Sequence, residues 1–242
     1  MSPNTDFTVA CLFYGNYPAL AERLLGSLSS KAAAPLNFHL RLGLNNASDQ
    51  TKAVIDKYIK IRDKKKLITH VFDDDSTTYK YPRMHQMIHS VVLTTPYFMW
   101  FDDDSCISPK AKLNWFGNVR KMMRNNDLIG KLYYKHLKGN QATHYEKSYW
   151  WNGKPIPTAK KVIFVTGGFW CVKSEILLRH DWPPVYDGLV HFGGDVALGE
   201  LCRQHNYRQR NFEQEVYINA DKQGRPSTSA RRGKTKSGLY GY

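Results

Sequence analysis

Acidic residues are scarce in this chain. Its 21 Asp and Glu face 35 Lys and Arg, which leaves a formal net charge of +14. A deficit of that size says nothing about fold. It does narrow the partners to nucleic acid, an anionic membrane surface or an acidic polymer. Cysteine is rare as well. Cys11, Cys106, Cys171 and Cys202 are scattered, and no two form a C-x-x-C pair. The simplest reading is a reduced, cytoplasmic protein. No apolar stretch approaches the roughly 18–20 residues of a membrane span. The opening "MSPNTDFTVACLFYG" has no basic n-region, so neither a transmembrane segment nor a secretory signal is expected. No internal repeat is visible. No G-x-G-x-x-G follows the first apolar run, which argues against a Rossmann dehydrogenase.

What remains is the composition of a globular chain. There are 242 residues, 42% of them hydrophobic and 13% aromatic, enough for one sizeable core. The apolar pattern alternates between two periods. "FTVACLFYG" reads as a buried strand, followed by a helix in which Pro18 takes the first turn and Leu20, Leu24 and Leu28 recur. "LNFHLRLGLN" reads as a second strand. Ser48 can cap a second helix with Val54, Ile55, Tyr58 and Ile59 on one stripe. "KLITHVF", the helix "RMHQMIHSVV" and "PYFMWF" continue the series. Later come the strand "KKVIFVTGGFWCV" and a helix within "GGDVALGELCRQHNY". Strands alternating with helices at this pace predict an α/β fold: a mostly parallel central sheet flanked by helices. Residues 1–220 are expected to form one domain. Residues 221–242, polar and rich in Gly, Ser, Lys and Arg, read as a basic flexible tail.

One stretch stands against the overall charge. In "YFMWFDDDSCI" an apolar strand runs straight into Asp102, Asp103 and Asp104. Ligands of open α/β sheets bind beyond the carboxyl ends of the strands. Aspartates held there can offer hard oxygen ligands to Mg²⁺ or Mn²⁺, and such an ion can stabilise a departing diphosphate. Plain loops and helix caps are also acidic. A second triple, Asp73 to Asp75, also follows a strand, but its strand is less buried and it runs into the loop "STTYKYP". The first triple is the favoured metal seat.

The order of these segments resembles glycosyltransferases of the GT-A fold, in the style of the large family 2 group. The matching stretches are "FTVACLFYGNYPALAERLLGSL", "LGLNNASDQT", "KYPRMHQMIHS" before the D-x-D-like "DDDS", "FVTGGFWCVKSEIL" and "HFGGDVALGELCRQHNYR". The resemblance implies a metal-dependent, inverting transfer from a nucleotide sugar, by family habit a UDP-sugar, with Mn²⁺ or Mg²⁺ as cofactor. It places Tyr14 and Asn16 in the nucleotide pocket, Asn45 near the base or ribose, and Arg83 at the diphosphate or uracil. Asp102 and Asp103 fall on the donor side, with Asp102 or Asp104 ligating the metal and His191 lining the site or joining the ligands. Asp195 becomes the catalytic base. Gly167, Gly168 and Trp170 fall in the acceptor-side segment. An inverting transfer needs such a carboxylate to take the acceptor hydroxyl's proton opposite the leaving group. Asp195 also suits the N-cap of a helix from Val196 to His205, and the two roles can coexist.

Other signals carry less. "RGKTK" lacks the first P-loop glycine, since position 228 is Thr228. His85 and His89 stand at i, i+4, but Gln86 follows the first histidine, so the Glu base of a zinc protease is missing. "HYEKSYWWNGKP", with Trp150 and Trp151, reads either as a hairpin with inward rings or as a platform on which an acceptor stacks. "KYIKIRDKKK" reads as a solvated helix face. The tail beyond Asp221 carries Lys222, Arg225, Arg231, Arg232, Lys234 and Lys236 and no acid. A polyanionic acceptor fits that surplus. DNA with hydroxymethylated pyrimidines, as phages make, offers both a polyanion and a free hydroxyl. The competing readings are a bacterial surface-glycan transferase that sits on the membrane through its basic face, and a non-catalytic nucleic-acid-binding protein on a transferase scaffold.

Overall fold

The computed structural model describes residues 5–30, 37–73, 79–136, 161–185, 193–212 and 215–217. The expected tail, 221–242, lies outside them, as do Asp74, Asp75, Trp150, Trp151 and His191. The elements follow in the order β1 (Phe7–Tyr14), α1 (Pro18–Leu28), β2 (His39–Asn45), α2 (Asp49–Lys64), β3 (Thr69–Asp73), α3 (Lys80–His89) and β4 (Tyr97–Asp102). Then come β5 (Cys106–Ile107), α4 (Trp115–Met123), β6 (Leu128–His136), β7 (Lys161–Lys173), α5 (Ser174–Arg179), α6 (Gly194–Gln204), β8 (Gln209–Asn211) and β9 (Val216–Tyr217).

Seven strands form one sheet in the order β3-β2-β1-β4-β7-β6-β8, and β5 pairs with β9 apart from it. β1 pairs in parallel with β2 on one side and with β4 on the other. β7 alone runs against its neighbours β4 and β6, while β8 is parallel to β6. The sheet is therefore mostly parallel, as the alternating pattern predicts. The chain turns back across the sheet at β1, so the carboxyl ends of β1 and β4 border a topological switch point.

Each central strand is buried on both faces, and the period of two sorts its residues. Val9, Cys11 and Phe13 join Leu40, Leu42, Met99 and Phe101 under α1, α2 and α4. Ala10 and Leu12 join Phe98 and Trp100 on the opposite face, with Met84, Met87 and Ile88 of α3 and Val196 and Leu201 of α6. Carried to the strand ends, the same alternation puts Tyr14, Asn45 and Asp102 on the α3/α6 face.

Two buried arginines hold the edges of this arrangement. Arg41 of β2, 2% exposed, reaches the end of α3. Its guanidinium donates to the carbonyls of Met87, Ile88, Val91 and Val92. It thus satisfies acceptors that a helix end leaves open. Burial pulls its pKa down to about 10, so it remains charged at neutral pH. Arg62, also 2% exposed, donates to Phe38 O, Ile68 O and Thr69 Oγ1 and lies over the Phe38 ring. The solvated face expected for "KYIKIRDKKK" is corrected at this residue: its guanidinium ties the residues just before β2 to the start of β3.

Arg41→Met keeps the apolar stem and strands those carbonyls. Urea unfolding should show a loss of about 2–4 kcal/mol, since each buried unsatisfied group costs about 1–3 kcal/mol and some will find water. An unchanged midpoint would mean the cap contributes nothing.

Candidate active site at the β1 and β4 strand ends

The site is built where β1, β2 and β4 end. Tyr14 and Asn45 are cross-strand partners, and Asp102 stands beside Leu12 in the register. Past Tyr14, Gly15 turns with φ +49°, a conformation that favours glycine. The turn is tied to the cap of α2: Ser48 N and Thr51 Oγ1 donate to Gly15 O, Tyr17 N donates to Thr51 Oγ1, and Ser48 Oγ donates to Asn16 Oδ1. Ser48 caps α2 as expected, accepting from Thr51 N. Asn16 is exposed on this rim. Asn45 is 7% exposed, and its Oδ1 has no hydrogen-bond partner among the described residues.

Asp102 is held by two donors. Lys80 Nζ lies 2.7 Å from Oδ2, and the indole Nε1 of buried Trp100 donates to Oδ1 at 2.9 Å. Lys80 opens α3 and is itself buried, 5.8 Å over the Trp100 ring. The next residue, Tyr81, accepts a hydrogen bond from Asp195 N at 3.1 Å. Asp195 lies in the first turn of α6, where its Oδ1 accepts from Val196 N. The structure therefore brings Asp102 and Asp195, from distant parts of the sequence, to one Lys80–Tyr81 pair. Neither Lys80 nor Tyr81 was singled out from the sequence. The signal was Pro82, which tolerates the first turn of a helix and so marks Lys80 as a helix start.

Electrostatics follow from this packing. Burial pushes the Asp195 carboxyl above its ordinary range, the Lys80 charge and backbone donors act against that, and Asp102 adds to it. Burial, followed by the charges of Asp195 and Asp102, holds Tyr81 well up as a neutral phenol. The expected capping role of Asp195 is corrected. The helix begins at Gly194, and its N-cap is Gly193 with φ +88°.

The remaining expected residues divide. Asp103 is 1% exposed, whereas Asp104 is partly exposed and its backbone carbonyl accepts from Arg23 Nη2. Arg83 is fully buried on α3, donating to Gln86 Oε1, so it shows no surface to a diphosphate in this state. Gly168 is buried within β7, and Gly167 is part of the same strand. Trp170, placed in the acceptor-side segment by the resemblance, packs in the core. It is 1% exposed, stacked on Trp100 at 6.1 Å and edge-on to Trp182 at 5.6 Å.

The aspartates suit a hard cation in a limited way. Both oxygens of Asp102 already accept from protein donors, and Asp103 is turned inward. Asp104 is the partly exposed carboxylate beyond the Asp102 contacts. That matches Mg²⁺ or Mn²⁺ sites that use one or two carboxylates and complete the shell with water and substrate phosphates.

No family model and no curated protein sequence matches the chain. Solved structures do. A mannosyltransferase from Pyrobaculum calidifontis, in complex with GDP-Man and Mn²⁺, superposes with TM-score 0.59 at 13% identity over 96% of this chain. TarS from S. aureus, residues 1–349, superposes with TM-score 0.56 at 15% identity over 88% of this chain. The same TarS fragment in complex with UDP-GlcNAc gives 0.52 at 15% identity over 87%. The chain spans 61%, 60% and 56% of the length of these three. The fold is GT-A-like, a single α/β domain around a mostly parallel sheet.

Gly194 of α6 packs directly against Tyr81 of α3. A Cβ there would lie 2.1 Å from Tyr81 Cε1, and Tyr81 is only 4% exposed. Gly194→Ala should therefore lower unfolding stability by about 1–3 kcal/mol, as overpacking does. Gly26→Ala on α1, where nothing stands within 4 Å, is the control and should be neutral or stabilising. Equal effects at the two sites would contradict the packing account.

Proposed function

We propose that the chain is a glycosyltransferase that moves a sugar from a nucleotide-sugar donor, by preference a UDP-sugar, to a hydroxyl acceptor with inversion. The observation that carries this reading is the meeting of Asp102 and Asp195 at one lysine–tyrosine pair on the switch point of a GT-A-like sheet. Tyr14, Asn16 and Asn45 are the donor-side contacts. The buried carboxamide oxygen of Asn45, without a hydrogen-bond partner among the described residues, suits an N–H or hydroxyl of a base or ribose once the donor enters. Asp104 is the residue to hold Mn²⁺ or Mg²⁺, with Asp102 behind it. When bound, the ion supplies charge stabilisation for the departing diphosphate.

The chain's own residues do the proton chemistry. Asp195 takes the proton of the acceptor hydroxyl as that oxygen attacks the anomeric carbon. A carboxyl raised by burial is a stronger base than one in water, and closer to the working pH. Lys80 keeps Asp195 ionised and Asp102 fixed. Tyr81 fixes the first turn of α6.

A panel of UDP- and GDP-sugars, assayed for nucleoside diphosphate release with and without Mn²⁺, tests this reading. Asp195→Asn should lower turnover at least about 100-fold. It should not lower stability at neutral pH, because a raised folded-state pKa means the ionised carboxylate already costs stability there. Catalysis needs the ionised form, so kcat/KM should fall on the acid side through a pKa above the ordinary Asp value. Lys80→Met should move that limb to higher pH. Asp104→Asn should remove the metal dependence together with the activity. Full activity of Asp195→Asn, or an acid limb that Lys80→Met leaves in place, contradicts the assignment.

For the acceptor, we propose a polyanion, and DNA bearing hydroxymethylated pyrimidines as the first to test. Some of the cationic surplus is internal, since Arg41, Arg62 and Arg83 are buried. The rest includes a hollow of about 610 Å³ lined by Lys112, Lys121, Arg210, Asn118 and Asn211, with Glu215 as the one acid among the described residues of its wall. Such a lining suits phosphates, which position a duplex without specifying its sequence. Lys121→Glu with Arg210→Glu should weaken binding to hydroxymethylated and plain duplex alike. It should also flatten the salt dependence, by about 0.9 in the log–log slope per lost phosphate contact. Anisotropy across a salt series reads this out. No measurable duplex binding at low salt would reject DNA and leave an anionic glycan or membrane-bound acceptor.

A further inference from the structure

A second cluster lies farther along α3, away from the strand-end aspartates. His85 and His89, one helical turn apart, face the same way with ring centroids 4.3 Å apart. Asp181, in the turn after α5, places Oδ1 3.5 Å from His85 Nε2 and 3.7 Å from His89 Nε2. Among the described residues this is the one group of three potential metal ligands whose donor atoms all fall within 4.8 Å of one another. We propose that His85, His89 and Asp181 form a binding site for a transition-metal dication of the zinc class, separate from the site of transfer.

Three features support it. The first is ligand type. Two imidazoles and a carboxylate suit zinc and its neighbours, whereas Mg²⁺ and Mn²⁺ prefer an all-oxygen shell. The second is spacing. In a tetrahedral site with bonds of about 2.0–2.1 Å, ligand atoms stand about 3.3 Å apart. The two His–Asp gaps are within a few tenths of an ångström of that. The third is backbone. Asp181 adopts φ +47°, uncommon outside glycine and moderately costly, and in that conformation its carboxylate meets the two imidazoles. An ion can enter, since the Asp181 side chain is 78% exposed and the histidines are 27% and 19% exposed.

Binding has a local cost. His89 Nε2 lies 3.1 Å from Trp182 O, and ligation through that nitrogen replaces the contact. Three protein ligands leave a fourth position for water. The ion would join α3, which carries Lys80 and Tyr81, to the turn that holds Trp182 against the Tyr81 ring. Its expected role is therefore to stiffen the back of the transfer site.

The test uses the full chain without a histidine tag, titrated with Co²⁺ as a spectroscopic substitute for zinc. One equivalent should give the intense visible bands of a four-coordinate nitrogen-ligated ion, and Zn²⁺ should displace it and raise the melting temperature. His89→Ala and Asp181→Asn should each weaken Co²⁺ binding at least tenfold, while Asp104→Asn leaves the bands unchanged. Circular dichroism confirms that each variant is folded. Absence of visible bands, bands that survive His85→Ala/His89→Ala, or bands lost with Asp104→Asn would overturn the proposal. In each of those cases the cluster is a polar contact between α3 and the Asp181 turn.

Discussion

The candidate site depends on a single buried cation. Lys80 Nζ sits 2.7 Å from an Asp102 oxygen, over the Trp100 ring, and its charge opposes the effect of burial on Asp195. In such surroundings each charge needs the others. Lys80 fixes Asp102 through its hydrogen bond and opposes the effect of burial on Asp195. The pair also joins three elements that the chain makes far apart: β4, the start of α3 and, through Tyr81, the start of α6. Fold and proposed chemistry therefore rest on the same contacts.

The sheet explains why these elements meet. β1 has parallel neighbours on both sides, so the chain must cross over twice, and the loops after β1 and β4 open onto one crevice. Pleating does the rest by directing Tyr14, Asn45 and Asp102 to the α3/α6 face. Neighbours of similar fold include a mannosyltransferase holding GDP-Man and Mn²⁺ and a TarS fragment holding UDP-GlcNAc. Identities of 13–15% extend the fold to this chain, and the chemistry proposed for it rests on its own residues.

Much of the fold was legible because its signals are local. β1, β2 and β4 are apolar runs with turn residues at their ends, and α1 and α2 carry Pro18 and Ser48 where helices start. α4 went unread, although Trp115, Phe116, Val119 and Met123 form a buried stripe; its cap, Asn114, adopts a left-handed conformation that periodicity does not display. β6 and β8 take their places through pairing with distant strands. In the site, the aspartates were legible as a block of charge after a strand. Lys80 and Tyr81 were not, because their significance arises only when α6 folds onto α3. The resemblance gave Trp170 and Arg83 ligand-side roles, and tertiary packing buries both. The His85/His89 pair was visible as a spacing, but its third member, Asp181, lies 92 residues beyond His89 and only the fold brings it near.

The most direct test is a crystal structure of the chain with Mn²⁺ and a UDP-sugar. The account predicts a diphosphate at the switch point between the Gly15 turn and Asp104, the base near Tyr14 and Asn45, and the anomeric carbon on the side of Asp195. A nucleotide bound elsewhere on the chain, or a saturating donor that leaves this crevice empty, would contradict it.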